Sequence, residues 1–204
     1  GDFPKRKELM EIFEKAGKEL PYQGIYIFVQ DGMHNMGYLM PSHIYNLDPT
    51  DAESLTKSEL EGRRQVRYVV DVIKKYGGEK YKNFFLAATA PCVGIREGRR
   101  IVGNYYLTID DLNEGRTFED GVCDVEMPVD IHHVTKKTGT GLDNIWTKPY
   151  QIPFRCLQPK GCPNLLTAGR CISGSFLAHG SYRVTGDSVP IGEAAGIAAV
   201  MAVE

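Results

Sequence analysis

The sequence contains no uninterrupted apolar run of about 18 residues, the length a membrane-spanning helix needs. It has no surplus of charge: 24 Lys and Arg stand against 26 Asp and Glu, a formal net charge of −2. That balance leaves no basic footprint for nucleic acid or an anionic membrane surface. No CxxC pair occurs among the five cysteines, Cys92, Cys123, Cys156, Cys162 and Cys171, so no metal site is expected. Their odd number fits buried or half-buried thiols in a reduced, cytoplasm-like compartment, and only Cys156 and Cys162 are close enough for a local bridge. The N-terminal GDFPKRKELMEIF lacks the apolar core of a signal peptide. A strand–GxGxxG–helix phosphate loop is also missing, as is a P-loop lysine. GTG at 139–141 follows a lysine pair in a polar loop rather than a buried strand.

What is present is ordinary globular composition, 42% hydrophobic and 25% charged, over 204 residues. That suffices for one large domain or one and a half small ones. Residues 4–20 carry Leu9, Ile12, Phe13, Ala16 and Leu20 at helical spacing, with Pro4 at the start. GIYIFVQ (24–30) alternates as a strand and stops at the turn pair Asp31-Gly32, and strand-like pieces follow at Tyr38–Met40 and His43–Leu47. Thr56 with Glu59 has the capping-box pattern, Leu60, Val66, Val69, Val70 and Ile73 form a stripe, and Gly77-Gly78 ends the helix. Arg63, Arg64 and Arg67 on it read as a solvated face. FFLAATA (84–90) and LLTAG (165–169) read as buried strands. CVGIREGRRIVGNYYLT (92–108) reads as strand, basic turn and strand. VEMPVDIHHV (125–134) is a strand bent at Pro128, and KKTGTGLDN (136–144) a flexible loop. Strand alternation puts His132 and His133 on opposite faces, so the two do not make a metal pair.

The last forty residues form one unit. LLTAG leads into a loop with His179, Gly180, Arg183, Gly186 and Asp187, and a Gly- and Ala-rich helix follows. Gly192 and Gly196 are four apart and share a face. Taken alone, this is a helix lying on a sheet. A helix start is also a site for an electron-rich group, because its first N–H groups lack partners.

NLLTAGRCISGSFLAHGSYRVTGDSVPIGEAAGIAA resembles the C-terminal signature of FAD-dependent oxidoreductases, in which a glutathione-reductase-type FAD domain is interleaved with a substrate domain. GIREGRRIVGNYYLTIDDL (94–112), YNLDPTDAESLTKSELEGRRQV (45–66) and YQIPFRCLQPKGCPNLLTAGRCIS (150–173) are similar to segments of one such family, often found in bacterial gene sets, in the same order. HGSYRVTGDS (179–188) is similar to the His-Gly…Arg…Asn-Ser arrangement of succinate dehydrogenase and fumarate reductase flavoproteins. The resemblance implies a mixed α/β fold: a largely antiparallel sheet with flanking helices, plus a terminal strand–helix belonging to an FAD domain. It divides the chain at 163/164, with 1–163 in the substrate-domain region and 164–204 as the C-terminal strand–loop–helix of the FAD domain. FAD is the implied cofactor, held at the ring's pyrimidine end by Gly169, Arg170, Gly186, Asp187, Ser188 and Val189. The backbone of Gly186, Ser188 and Val189 would donate to the reduced ring, Pro190 would lose no bond so early in the helix, and Asp187 would cap the helix or bond the ribityl hydroxyls. Arg183 would clamp a substrate carboxylate through its planar fork, Arg96 would lie near the flavin or substrate, and His179 would carry a proton. Glu97, Arg99 and Arg100 equally read as structural ion pairs.

The function implied is flavin-mediated hydride transfer from a small polar or anionic substrate. With the phosphate loop absent and Gly1 leading an amphipathic helix, the chain reads as a C-terminal piece, by itself inactive and holding FAD weakly, its partner being the N-terminal FAD-binding half. An oligomer formed through the LLTAG edge is open to it. The alternative is a non-catalytic binding or scaffold domain that has lost its cofactor.

Overall fold

The computed structural model describes residues 3–22, 25–132 and 145–203. The loop at 136–144 and His133 lie outside the described residues. The chain is mixed α/β, with helices flanking two small antiparallel sheets. It divides into two compact units, one of residues 1–94 with 133–140, the other of 95–132 with 141–204.

The first unit holds helix α1 (Arg6–Lys15), the hairpin β1 (Tyr26–Gln30) and β2 (Met33–Met40), and helix α2 (Ala52–Tyr76). The hairpin turns at Gly32, whose φ of 72° is a conformation glycine enters without strain. Leu9, Ile12 and Phe13 of α1 meet Val69, Val72 and Ile73 of α2, with Ile25 and Tyr81, in one buried cluster. The capping box at Thr56 does not form. Asp51 caps α2 instead, its carboxylate accepting from the Ser54 N–H at 2.8 Å, and Thr56 lies inside the helix donating to the Ala52 carbonyl. The cap lies five residues before Thr56 because Ser, Thr and Asp all cap, and the first acceptor to meet a free N–H takes the role. Gly77 and Gly78 end the helix as expected. Leu60, 53% exposed, is not part of the buried stripe.

The expected strand FFLAATA is not a strand. Among the described residues, 84–90 have no ladder partner, and Phe85 is 73% exposed. An apolar run does not supply its own ladder; without a neighbouring strand it stays extended and open.

The second unit contains α3 (Ile109–Glu114), β3 (Gly121–Val125), β4 (Tyr150–Pro153), α4 (Phe176–Tyr182) and α5 (Thr185–Met201). Cys123 and Val125 of β3 and Tyr150 and Ile152 of β4 point into a core closed by Leu107, Leu112, Leu157, Ile172, Tyr182 and Ile191. The pieces at 92–108 and 165–169 are not strands, which corrects both expectations. Residues 101–107 instead make single bonds to two neighbours: Ile101 N–H to the Cys171 carbonyl at 2.9 Å, and Asn104 N–H to the Gln158 carbonyl at 3.0 Å. Leu165 is exposed. VEMPVDIHHV loses strand geometry after Val125, before Pro128, as the missing amide of proline requires. Asp111 is buried and carries the α3 capping box with Thr108, while also accepting from Tyr105 and Arg116.

All five cysteines are free, so Cys156 and Cys162 do not bridge. Burial pushes the Cys123 thiol up to about 11 and the Cys156 thiol up to about 12, as inert core thiols, whereas Cys92 and Cys171 are exposed.

Candidate active site

Helix α4 is short but fully specified. Ser175 caps it by accepting from the Ala178 N–H at 3.2 Å. Ala178 to Tyr182 are buried, and their hydroxyls are satisfied: Tyr182 donates to the Ile172 carbonyl, Tyr150 to Ser181 Oγ, and Ser181 to the Met127 carbonyl. Gly180 lets the helix approach the 129–131 segment. Its carbonyl accepts from the Asp130 N–H at 3.1 Å, and a Cβ there would lie 2.6 Å from Ile131 Cγ1. The helix thereby fixes His179 and, at its C-cap, Arg183, against Asp130.

Glu97 comes to the same place from the 94–100 segment. Its carboxylate pairs with the Arg183 guanidinium through Oε1, and its Oε2 lies 3.3 Å from His179 Nδ1. Arg183 also donates to the Asp130 carbonyl at 2.5 Å. The Asp130 carboxylate faces outward, with Arg96 at 3.1 Å and His132 at 3.3 Å. His179 is 1% exposed, and its ring meets the Tyr182 ring edge-on at 5.4 Å. Burial works to raise the Glu97 carboxyl, but His179 and Arg183 outweigh it and hold it below the usual range. His132 chiefly, then Arg96 and Arg183, hold the Asp130 carboxyl down.

The three predicted catalytic residues therefore share one cluster, and they differ in availability. Arg96 is exposed and holds only one carboxylate. The Arg183 side chain is 6% exposed, and both of its described partners belong to this chain. Glu97, read from the sequence as a structural ion pair, is one, and its partner is Arg183. Asp130 was not singled out as a site residue; it joins the cluster through its carbonyl to Arg183 and its carboxylate to Arg96 and His132, partners far off in sequence or, for His132, two residues on.

The predicted cofactor residues collect at the start of α5. Gly169, at φ 74°, stands so close that a Cβ would lie 3.7 Å from Ser188 Oγ. Arg170 is exposed and donates to the Ile95 carbonyl. Thr185 and Gly186 are exposed, and nothing lies within 4 Å of a Cβ built on Gly186. Ser188 does not offer its amide: that N–H donates to the Val184 carbonyl at 3.1 Å, and its hydroxyl to the same oxygen at 2.9 Å. Helical register likewise commits the Val189 N–H to Thr185. The open donors are those of Thr185, Gly186 and Asp187: Gly186 is as expected, while Thr185 and Asp187 take the place of Ser188 and Val189. Pro190 is the sixth residue of α5 rather than one of its first turn, so it does remove a bond, leaving the Gly186 carbonyl without its helical donor. Gly192 and Gly196 meet nothing within 4 Å, so the small face packs on no described residue.

Asp187 does not cap the helix. Val184 holds the cap position without a side-chain bond, and Asp187 turns inward, its Oδ2 buried without a partner. Burial raises its carboxyl from 3.8 to about 6. The native state thus keeps a proton that the unfolded chain has released between these values, and stability falls as pH rises through that window. Asp187→Asn should stabilise the protein at pH 7 by about 1 kcal/mol, a figure discounted for the carboxyl's partial exposure and for the lost helix-dipole attraction. At pH 4 the gain should vanish; urea midpoints at the two pH values check this.

The donor set fits the pyrimidine end of a flavin: open N–H groups at a helix start, glycine beside them, and no side chain in front of Gly186. The model of the FAD dependent oxidoreductase family matches residues 4–204, and the chain belongs to that family. No curated protein and no solved structure matches it. The family carries FAD as cofactor and oxidoreduction as activity. Among the described residues no helix is long and apolar enough to cross a membrane, and no cluster of three metal-ligating side chains occurs.

Proposed function

We propose that this protein oxidises or reduces a small polar or anionic molecule at a flavin whose pyrimidine end rests on the start of α5, in an FAD domain of glutathione-reductase type. The carrying observation is the open helix start at Thr185–Asp187, beside Gly169, in a chain of this family. Bound flavin supplies hydride chemistry; the protein supplies orientation and electrostatics. Residues 164–204 belong on this reading to the flavin-binding part, and 1–163 to the substrate-binding part. The Thr185, Gly186 and Asp187 amides stabilise negative charge on the ring, an effect of about 0.3–1 kcal/mol when exposed. Asp187, turned inward, keeps its charge away from that face. Arg96 is the guanidinium open to a substrate anion. Arg183 holds Glu97 and Asp130 in place, and His179 is the proton carrier.

The reading is tested on protein expressed from its complete gene. The purified protein should keep flavin absorbance through gel filtration. Gly186→Glu, which puts a carboxylate before the open amides, should weaken FAD binding at least about tenfold. Wild-type protein that retains no flavin and takes none up would overturn the reading in favour of a binding domain without cofactor.

A further inference from the structure

Among the buried polar atoms that lack an aligned hydrogen bond, three lie together at the foot of α4: Glu97 Oε2, His179 Nδ1 and His179 Nε2. Two of them, Oε2 and Nδ1, are only 3.3 Å apart. Leaving a buried polar group unpaired costs about 1–3 kcal/mol, and a small rotation of the ring aligns these two and satisfies both. The identity of the donor follows from the other end of the carboxylate. Oε1 is taken by Arg183, which has donors and no acceptor, so Glu97 can accept on both oxygens and donate on neither. The charges facing the ring are Glu97 and Arg183, with Tyr182 at its edge. Asp130 stands behind Arg183, and Asp130 in turn carries Arg96 and His132.

We infer that Glu97 is the positioning residue for His179: it holds the neutral ring as the Nδ1–H tautomer and leaves the Nε2 lone pair as an unfilled acceptor. In function this rests on the oxidoreductase reading above, where His179 is the proton carrier and Nε2, buried in this structure, is the atom that receives a proton from an O–H or N–H donor. The donor's O–H or N–H bond breaks and the Nε2–H bond forms, while the Nδ1 proton stays on the ring and is held by Glu97. The tautomer itself does not depend on that reading.

The test is the ¹⁵N chemical shifts of the His179 ring, at a pH above the ordinary histidine range, in protein without flavin or substrate. The signal is assigned by its loss in His179→Gln. Wild-type protein should show Nδ1 protonated and Nε2 bare. Glu97→Gln is nearly isosteric, yet it should invert the tautomer. Arg183 demands the amide oxygen, so the amide NH₂ faces the ring, Nδ1 becomes an acceptor and the proton moves to Nε2. Glu97→Ala, which offers neither donor nor acceptor, should give a mixture. A role confined to packing predicts the same tautomer in all three. An Nε2–H ring in the wild type, or no change in Glu97→Gln, overturns the assignment. Either result leaves the flavin test untouched, so the two ideas fail separately.

Discussion

Arg183→Met is expected to destabilise the protein by about 3 kcal/mol at pH 7, the lower end for breaking a buried pair by removing one partner. Methionine keeps much of the volume but leaves the half-buried Glu97 carboxylate without its guanidinium, and the Asp130 carbonyl without a donor. The lower end applies because the Glu97 side chain is 29% exposed and water reaches part of it. The effect has a pH signature. Glu97 is held below its ordinary range in the native state, so the stability it contributes is present above that range and is lost as pH falls through its native value. In Arg183→Met only the His179 share of that contribution remains, and the two proteins should converge in acid as Glu97 protonates. Urea unfolding followed by circular dichroism at neutral and acid pH measures both points. A guanidinium waiting for substrate would behave otherwise: its removal from a surface position changes stability by no more than about 0.5 kcal/mol. The experiment therefore separates a residue that builds the cluster from one that waits for a ligand.

Gly180→Val should cost a similar amount, about 3 kcal/mol, by overpacking. The first added carbon would lie 2.6 Å from Ile131 Cγ1 and 3.0 Å from Val129 Cγ1, both in buried side chains that cannot swing into solvent. Helix propensity does not offset this, because valine gives back little over glycine once its χ1 freedom is lost. The clash lies where the Gly180 carbonyl holds the Asp130 amide, so relief must move Asp130 away from α4. A fall in the thermal midpoint, together with weaker near-ultraviolet dichroism from Tyr150 and Tyr182, is the expected result. Gly98→Val, at a glycine with nothing within 4 Å, should leave both unchanged.

The features legible in the sequence are those whose causes lie within a few residues. The α1 stripe, the Asp31-Gly32 turn and the Gly77-Gly78 stop each follow from local spacing or backbone freedom, and each appears in the structure. The same locality explains the family signature: the TAGR turn, the His-Gly-Ser-Tyr-Arg run and the closing helix are contiguous. The strands expected at 24–30 and 38–40 pair across their own turn, but those without a local partner did not form. FFLAATA and LLTAG are apolar enough for a ladder, but a ladder's bonds belong to its neighbour, which composition does not name.

The site divides in the same way. His179 and Arg183 are one helical turn apart, and sequence alone marked them. Glu97 stands 86 residues from Arg183, and the Asp130 carbonyl 53, so only chain folding could bring a carboxylate and a main-chain carbonyl to that guanidinium. Where the helix start places its open amides was likewise a tertiary decision. The loop from Tyr182 delivers Val184, not Asp187, as the cap, and that three-residue shift frees Thr185, Gly186 and Asp187 while committing Ser188. The sequence by itself determined the family, the residue types and the local helices. The tertiary structure decided which of the charged groups are occupied and which are open, because that depends on partners far along the chain and on the burial that makes an unpaired charge costly.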